Sequence, residues 1–198
     1  MGVIKPKRKS PVMDMTAMCD VAFLLLTFFI MTTQFKSQES VTVDTPSSIS
    51  QTKVPESDLA TISIDKDGKY YFGITNFKER GQLLQRMAGK YNVAVTNADL
   101  LKFEKLADFG VSIAGIKQYL NLGPEEQGKV VLPGIPNDST KSELSEWVLT
   151  YLKEVNTKAK LAVKGDVVTK YPAIKAVFTE LGKRDINKFQ LVTDVETK

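Results

Sequence analysis

The chain alternates between one long apolar block, one polar gap and a series of short patterned segments. Met15 to Phe35 reads MTAMCDVAFLLLTFFIMTTQF. At a helical rise of ~1.5 Å per residue such a stretch covers ~31 Å, enough to cross a bilayer core. The pattern therefore predicts a transmembrane helix over 15–35. Residues 36–59 follow, rich in serine and threonine, with two prolines and only Val41, Val43, Ile49 and Val54 as β-branched aliphatics. This composition predicts an extended or disordered tether. Within it Val41-Thr42-Val43 alternates like a short strand, closed by Pro46.

A folded domain is predicted over 60–198. Thr61 to Ile64 alternates, Asp65-Lys66-Asp67-Gly68 makes a turn, and Lys69 to Phe72 resumes, which together signal a β-hairpin. Asn76 caps a helix to about Lys90, with Phe77, Leu83, Leu84 and Met87 as its apolar face. Residues 97–123 read as helix in two pieces, broken near Gly110. Pro124, Pro133, Gly134 and Pro136 mark a loop, with a short strand expected at Val130–Leu132. Ser139 or Thr140 is the expected cap of a helix whose face is Leu144, Trp147, Val148, Tyr151, Leu152 and Val155. A strand at Lys160–Lys164, a helix carrying Tyr171, Ile174, Val177, Phe178 and Leu181, and a strand at Lys188–Thr193 complete the chain. The Trp147 and Tyr171 stripes are assigned to the core. This order predicts an α+β domain, a mixed sheet with helices on one face, closed by a parallel strand–helix–strand crossover.

Asp20 changes the reading of the apolar block. It is the only acid or base there apart from the Cys19 thiol. A carboxylate inside a membrane helix costs about 2.5–3.5 kcal/mol on insertion scales. Such residues face a protein interior or an aqueous path, and often carry ions or protons. Thr27, Thr32 and Thr33 are candidates for hydrogen bonds to neighbouring helices or water, or for bonding back to their own helix.

Charge sets the orientation. The net charge is +4, and Lys5, Lys7, Arg8 and Lys9 precede the apolar run. A basic tail over 1–14 places the N-terminus in the cytoplasm and everything past Lys36 across the membrane. Four charges without interleaved aromatics do not make a nucleic-acid site. Asp14, Asp20, the length of the run and the absence of a small-x-small site after it predict an uncleaved anchor rather than a signal peptide. The chain has no His and one Cys. That excludes a His-containing metal site, a Ser-His-Asp triad and an internal disulfide framework. No EF-hand or P-loop spacing is present, and no nucleophile is paired with a base.

The motifs resemble a known family. Asp14-Met15-Thr16, Met18-x-Asp20-Val21-x-Phe23-Leu24-Leu25-Leu26-x-Phe28-Phe29 resembles the membrane motif of the ExbD/TolR biopolymer-transport proteins. Ala162-Val163-Lys164-Gly165-Asp166, then Tyr171 and a helix, then Leu191-Val192-Thr193 resembles the family's C-terminal pattern. The chain departs from the pattern at Ala17, usually Pro, at Cys19, usually a larger aliphatic, and at Thr45, usually an aliphatic before Pro46. Residues 91–140 look like an insertion relative to short members.

The resemblance implies a non-enzymatic motor subunit of the inner membrane with a periplasmic domain. It implies a homodimer whose helices lie inside a pore formed by an ExbB/TolQ-like polytopic partner. Protons, coupled through Asp20, replace any cofactor, and the work passes to a TonB- or TolA-like protein. The output is uptake of siderophores or cobalamin, or TolR-like envelope maintenance. The competing classes are a passive anchored binding module and a MotB-like stator, whose glycan-binding motif is not found here. A further expectation concerns docking: the last strand, with Leu191 and Val192, is an edge able to accept a peptide strand. The tether at Val41, Val43 and Pro46 is the candidate ligand; the alternative is that Leu191 and Val192 line the core.

Overall fold

The protein is described by a computed structural model, in which residues 15–33, 43–45, 47–48, 58–128, 130–138, 142–192 and 194–195 are described. The chain divides into two compact units, the first ending at Lys36 and the second beginning at Ser37.

The first unit contains α1, Met15–Thr32, 18 residues with none buried. Its aliphatic and phenylalanine side chains point outward all round, as expected where the solvent is lipid rather than water. At ~1.5 Å per residue it is ~27 Å long. Gln34 and Phe35, the predicted end of the span, lie outside the described residues.

The second unit is built on a five-stranded mixed sheet in the order β4-β3-β2-β5-β6. Strands β2 (Leu59–Ile64) and β3 (Tyr70–Ile74) form the predicted antiparallel hairpin. Gly68 adopts φ +77° at its turn, and its N–H donates to the Asp65 carbonyl at 2.8 Å. A left-handed residue is needed there, which is why glycine occupies it. Strand β5 (Lys160–Gly165) lies parallel to β2, and β6 (Phe189–Val192) lies parallel to β5. Helix α7 (Tyr171–Lys183) connects them, the predicted strand–helix–strand unit.

One face of the sheet carries the core. Ala60, Ile62 and Ile64 of β2 are fully buried, while Leu59, Thr61 and Ser63 between them are half-buried. Helix α2 (Phe77–Tyr91) begins at Asn76, whose side chain accepts from the Lys78 N–H, and ends at Asn92 in the left-handed conformation. Helix α3 (Asn97–Glu104) opens with a reciprocal Thr96–Asp99 capping box.

The break near Gly110 is not a simple helix interruption. Between α3 and α4 (Ile113–Asn121) lies β4, Asp108–Phe109, which pairs antiparallel with Phe72 and Gly73 of β3. The segment 91–140 is thus woven into the sheet. Its Phe103 and Phe109 pack on Trp147, with the Phe109 and Trp147 ring centroids 4.7 Å apart. It also closes the outer edge of β3. The Tyr70 carbonyl accepts from the Ile135 N–H at 2.8 Å, and the Ile74 carbonyl accepts from Arg80 Nε at 2.7 Å.

Other differences from the sequence expectation are local. Val130–Leu132 forms no strand, because the return loop spends its hydrogen bonds singly, at Gly134 and Ile135, instead of along a ladder. After the short α5 (Pro124–Gln127), helix α6 (Glu143–Thr150) is capped by Ser142; residues 139–141 lie outside the described set. The helix then widens into a π turn, Tyr151–Val155. Trp147 is fully buried as expected, but Tyr171 is 71 % exposed, because the first turn of α7 projects past the sheet-covering stripe of Val177 and Leu181.

Gly110 is fixed by a close approach. A Cβ placed there would lie 2.3 Å from the Tyr71 ring, which is itself buried. Gly110→Ala is expected to cost ~1–3 kcal/mol, the usual range for overpacking, read as a lower urea midpoint with an unchanged slope.

Candidate functional site

Asp20 is the sixth residue of α1. At 3.6 residues per turn, Thr16 lies one turn before it and Thr27 two turns after it on the same side. A polar stripe, Thr16–Asp20–Thr27, therefore runs down a largely apolar helix. Thr32 and Thr33 fall on other sides. The hydroxyls of Thr27, Thr32 and Thr33 all bond back within the helix. Thr27 donates toward the Phe23 and Leu24 carbonyls at 3.0 and 2.9 Å, Thr32 toward the Phe28 carbonyl at 2.8 Å, and Thr33 toward that of Phe29. This satisfies their donors inside lipid and leaves only acceptor lone pairs for a neighbour.

The tether contributes a second locus, in the folded unit. Val43 and Thr45 are buried, at 5 % and 8 % exposure. Between them the Asp44 carbonyl accepts from the Val167 N–H at 2.9 Å, in the loop after β5. Strand β1, Ser47–Ser48, then runs parallel to β7, Asp194–Val195, just past the end of β6. Among the described residues the tether meets the C-terminal strand at Ser47–Ser48. Val41 and Pro46 lie outside the described residues. Leu191 is 61 % exposed on the edge strand β6, and Val192 is half-buried. The amide oxygen of Gln190, between Leu191 and Phe189, is buried without a hydrogen-bond partner. Sequence reasoning missed Gln190 and Ser47–Ser48, since backbone pairing of two serines leaves no apolar signature.

Two polar clusters tie the second unit together. Arg80 is buried and donates to the carbonyls of Ile74, Thr75, Glu104 and Leu106. Burial lowers its pKa and Asp108 opposes that shift. Tyr151 donates to Glu79 at 2.7 Å, and Asn156 bridges Glu79 and Asp58. Burial, and then the bond to Glu79, push the Tyr151 hydroxyl up. Among the described residues no group of three or more metal-ligating side chains is arranged to hold an ion.

Glu143 sets a pH dependence. Its carboxylate accepts from the Ile113 N–H and, at 3.3 Å, from Trp147 Nε1. Burial raises its pKa more than these bonds lower it. A carboxyl whose folded pKa is raised stabilises the fold fully below its unfolded value, and that contribution is lost as pH rises through the folded value. Glu143→Gln keeps an acceptor oxygen and removes the charge. We expect a Tm ~2 °C higher at neutral pH, and no gain below pH ~4, where both states are protonated, by calorimetry at the two pH values.

No curated protein and no solved structure gives a significant match to this chain. The family profile described as biopolymer transport protein ExbD/TolR matches residues 6–196. That span includes α1 with Asp20, the docked tether, the whole mixed sheet and the segment 91–140 together. The chain belongs to the ExbD/TolR family.

Proposed function

We propose that this protein is the proton-driven transducer subunit of an inner-membrane motor that energises outer-membrane uptake of siderophores or cobalamin. Family membership carries the coarse part. ExbD/TolR proteins are membrane-anchored, non-enzymatic components of biopolymer transport that work with ExbB/TolQ-like and TonB/TolA-like proteins. The observation that carries the finer part is the single carboxylate, Asp20, on the polar stripe of an apolar helix.

The physics of that stripe suits rotation. An ionised Asp20 has to stay in a polar passage inside the ExbB/TolQ-like pore. Protonation removes the charge, so the helix passes an apolar wall; loss of the proton on the other side locks it again. One charge moved through 100 mV supplies ~2.3 kcal/mol. In this reading the homodimer places two helices in one pore, with the N-terminus cytoplasmic and the folded unit periplasmic. The tether, gripped at Val43 and Thr45, transmits the motion to the folded unit. The open edge of β6 beside Leu191 and Gln190 offers backbone groups to a strand of the TonB- or TolA-like protein. The test is complementation of a deletion strain by Asp20→Asn on siderophore-bound iron, with membrane protein level as the control. Growth like the wild type overturns the reading.

A further inference from the structure

We infer that the loop after β5, with Val167, Val168 and Tyr171, is a docking tip that rests on the lipid bilayer surface. These three side chains are 62 %, 73 % and 71 % exposed. Tyr171 heads an amphipathic helix whose later stripe residues, Val177 and Leu181, are buried. A folded unit that leaves such a group open to water departs from its own pattern, and departures of this kind mark functional surfaces.

The loop is built to hold that shape. Asp166 Oδ1 accepts from the Val168 N–H at 2.9 Å, and the Asp166 carbonyl accepts from the Thr169 N–H at 3.0 Å. The Thr169 hydroxyl donates toward the Asp65 carbonyl at 3.2 Å. The two valines are therefore presented outward by a braced turn.

The occupant follows from where the chain enters. Val167 is the residue whose N–H grips the tether, at the Asp44 carbonyl. Only ten residue steps separate Thr33, past the end of the membrane helix, from Val43. Fully stretched they span at most ~35 Å. The apolar tip thus adjoins the residue at which the leash from the membrane helix meets the folded unit. A tyrosine with two valines suits the headgroup boundary, where an amphipathic ring and small aliphatics are both accommodated. Charge does not drive the contact, since Asp44 and Asp166 offset Lys164 and Lys170. The inference rests on the membrane anchor and not on proton coupling, and it is the same on either side of the membrane.

The test uses the full chain in lipid vesicles, with Cys19→Ala and a nitroxide on Val168→Cys. The accessibility of the label to oxygen is compared with its accessibility to a water-soluble nickel complex. A label on exposed Arg86→Cys of α2 is the reference. We expect an oxygen-to-nickel ratio at least threefold above the reference, equal in zwitterionic and anionic vesicles and unchanged by high salt. Adding Val167→Ser and Tyr171→Ser is expected to return the ratio to the reference. A ratio like the reference at the outset overturns the inference. So does a contact abolished by salt, which would be electrostatic, or one untouched by the two serines, which would belong to the label. Strong spin–spin broadening between labels at 168 also overturns it, because a second copy then covers the tip.

Discussion

Asp20→Asn is expected to leave a stable, membrane-inserted protein that supports no more growth on siderophore-bound iron than the deletion strain. The substitution is nearly isosteric and keeps hydrogen-bonding capacity on the stripe with Thr16 and Thr27. What it removes is the ability to gain and lose a charge. A permanently neutral side chain has no differential interaction with the membrane potential, so it biases no equilibrium between helix positions. Insertion is made easier, since an amide is cheaper in lipid than a carboxylate. Membrane level therefore stays normal while output falls to zero. Asp20→Glu retains the charge on a longer arm and is expected to keep part of the growth. Normal growth of the Asn variant would show that coupling runs elsewhere and would favour a passive anchored module.

Arg80→Leu is expected to destabilise the folded unit by ~3–5 kcal/mol, the range for breaking a buried charged network. Its guanidinium reaches four backbone carbonyls, two where β3 ends and two where α3 ends. Leucine leaves those acceptors buried and unpaired, each carrying a desolvation penalty. Arg80→Lys is expected to recover little, because one ammonium cannot fill a planar fork of donors. For a unit of this size the loss corresponds to a Tm lower by ~10 °C or more. Urea unfolding of the full chain in detergent measures it. A shift under 1 kcal/mol, on the order of an exposed pair, would show that solvent replaces the guanidinium.

What the sequence revealed depended on whether the signal was local. The hairpin turn ending in Gly68 and the Asn76 cap are each written within a few consecutive residues, and each element of the β5–α7–β6 unit within its own short run, so pattern was enough. Asp20 was legible for the same reason: one charge in an apolar run needs no tertiary context. Strand β4 was not legible. It is two residues long, and its partner β3 lies more than thirty residues earlier. Arg80 was hidden because a charged residue on an amphipathic helix reads as solvent-facing. In the fold α2 buries Arg80 and leaves Phe77, expected on the apolar face, 56 % exposed. The tether's contacts among the described residues, at Asp44 and at Ser47–Ser48, left no mark in the pattern. Ser47–Ser48 pair in a backbone ladder, and two serines give the sequence no apolar signature of it.

The closed edge of β3 has a consequence for assembly arithmetic. A sheet with two free edges can add copies of itself at both ends and has no natural stopping point. Here Ile135, β4 and Arg80 occupy the outward groups of β3, which leaves the two-residue β4 at one end of the five-stranded sheet and β6 at the other, among the described residues. Two copies that met through β6 would form one ten-stranded sheet ending on both sides in β4, a strand of two residues, and very short edge strands are poor templates for a third copy. In such a pair the short β4, supplied by segment 91–140, would be what ends the sheet.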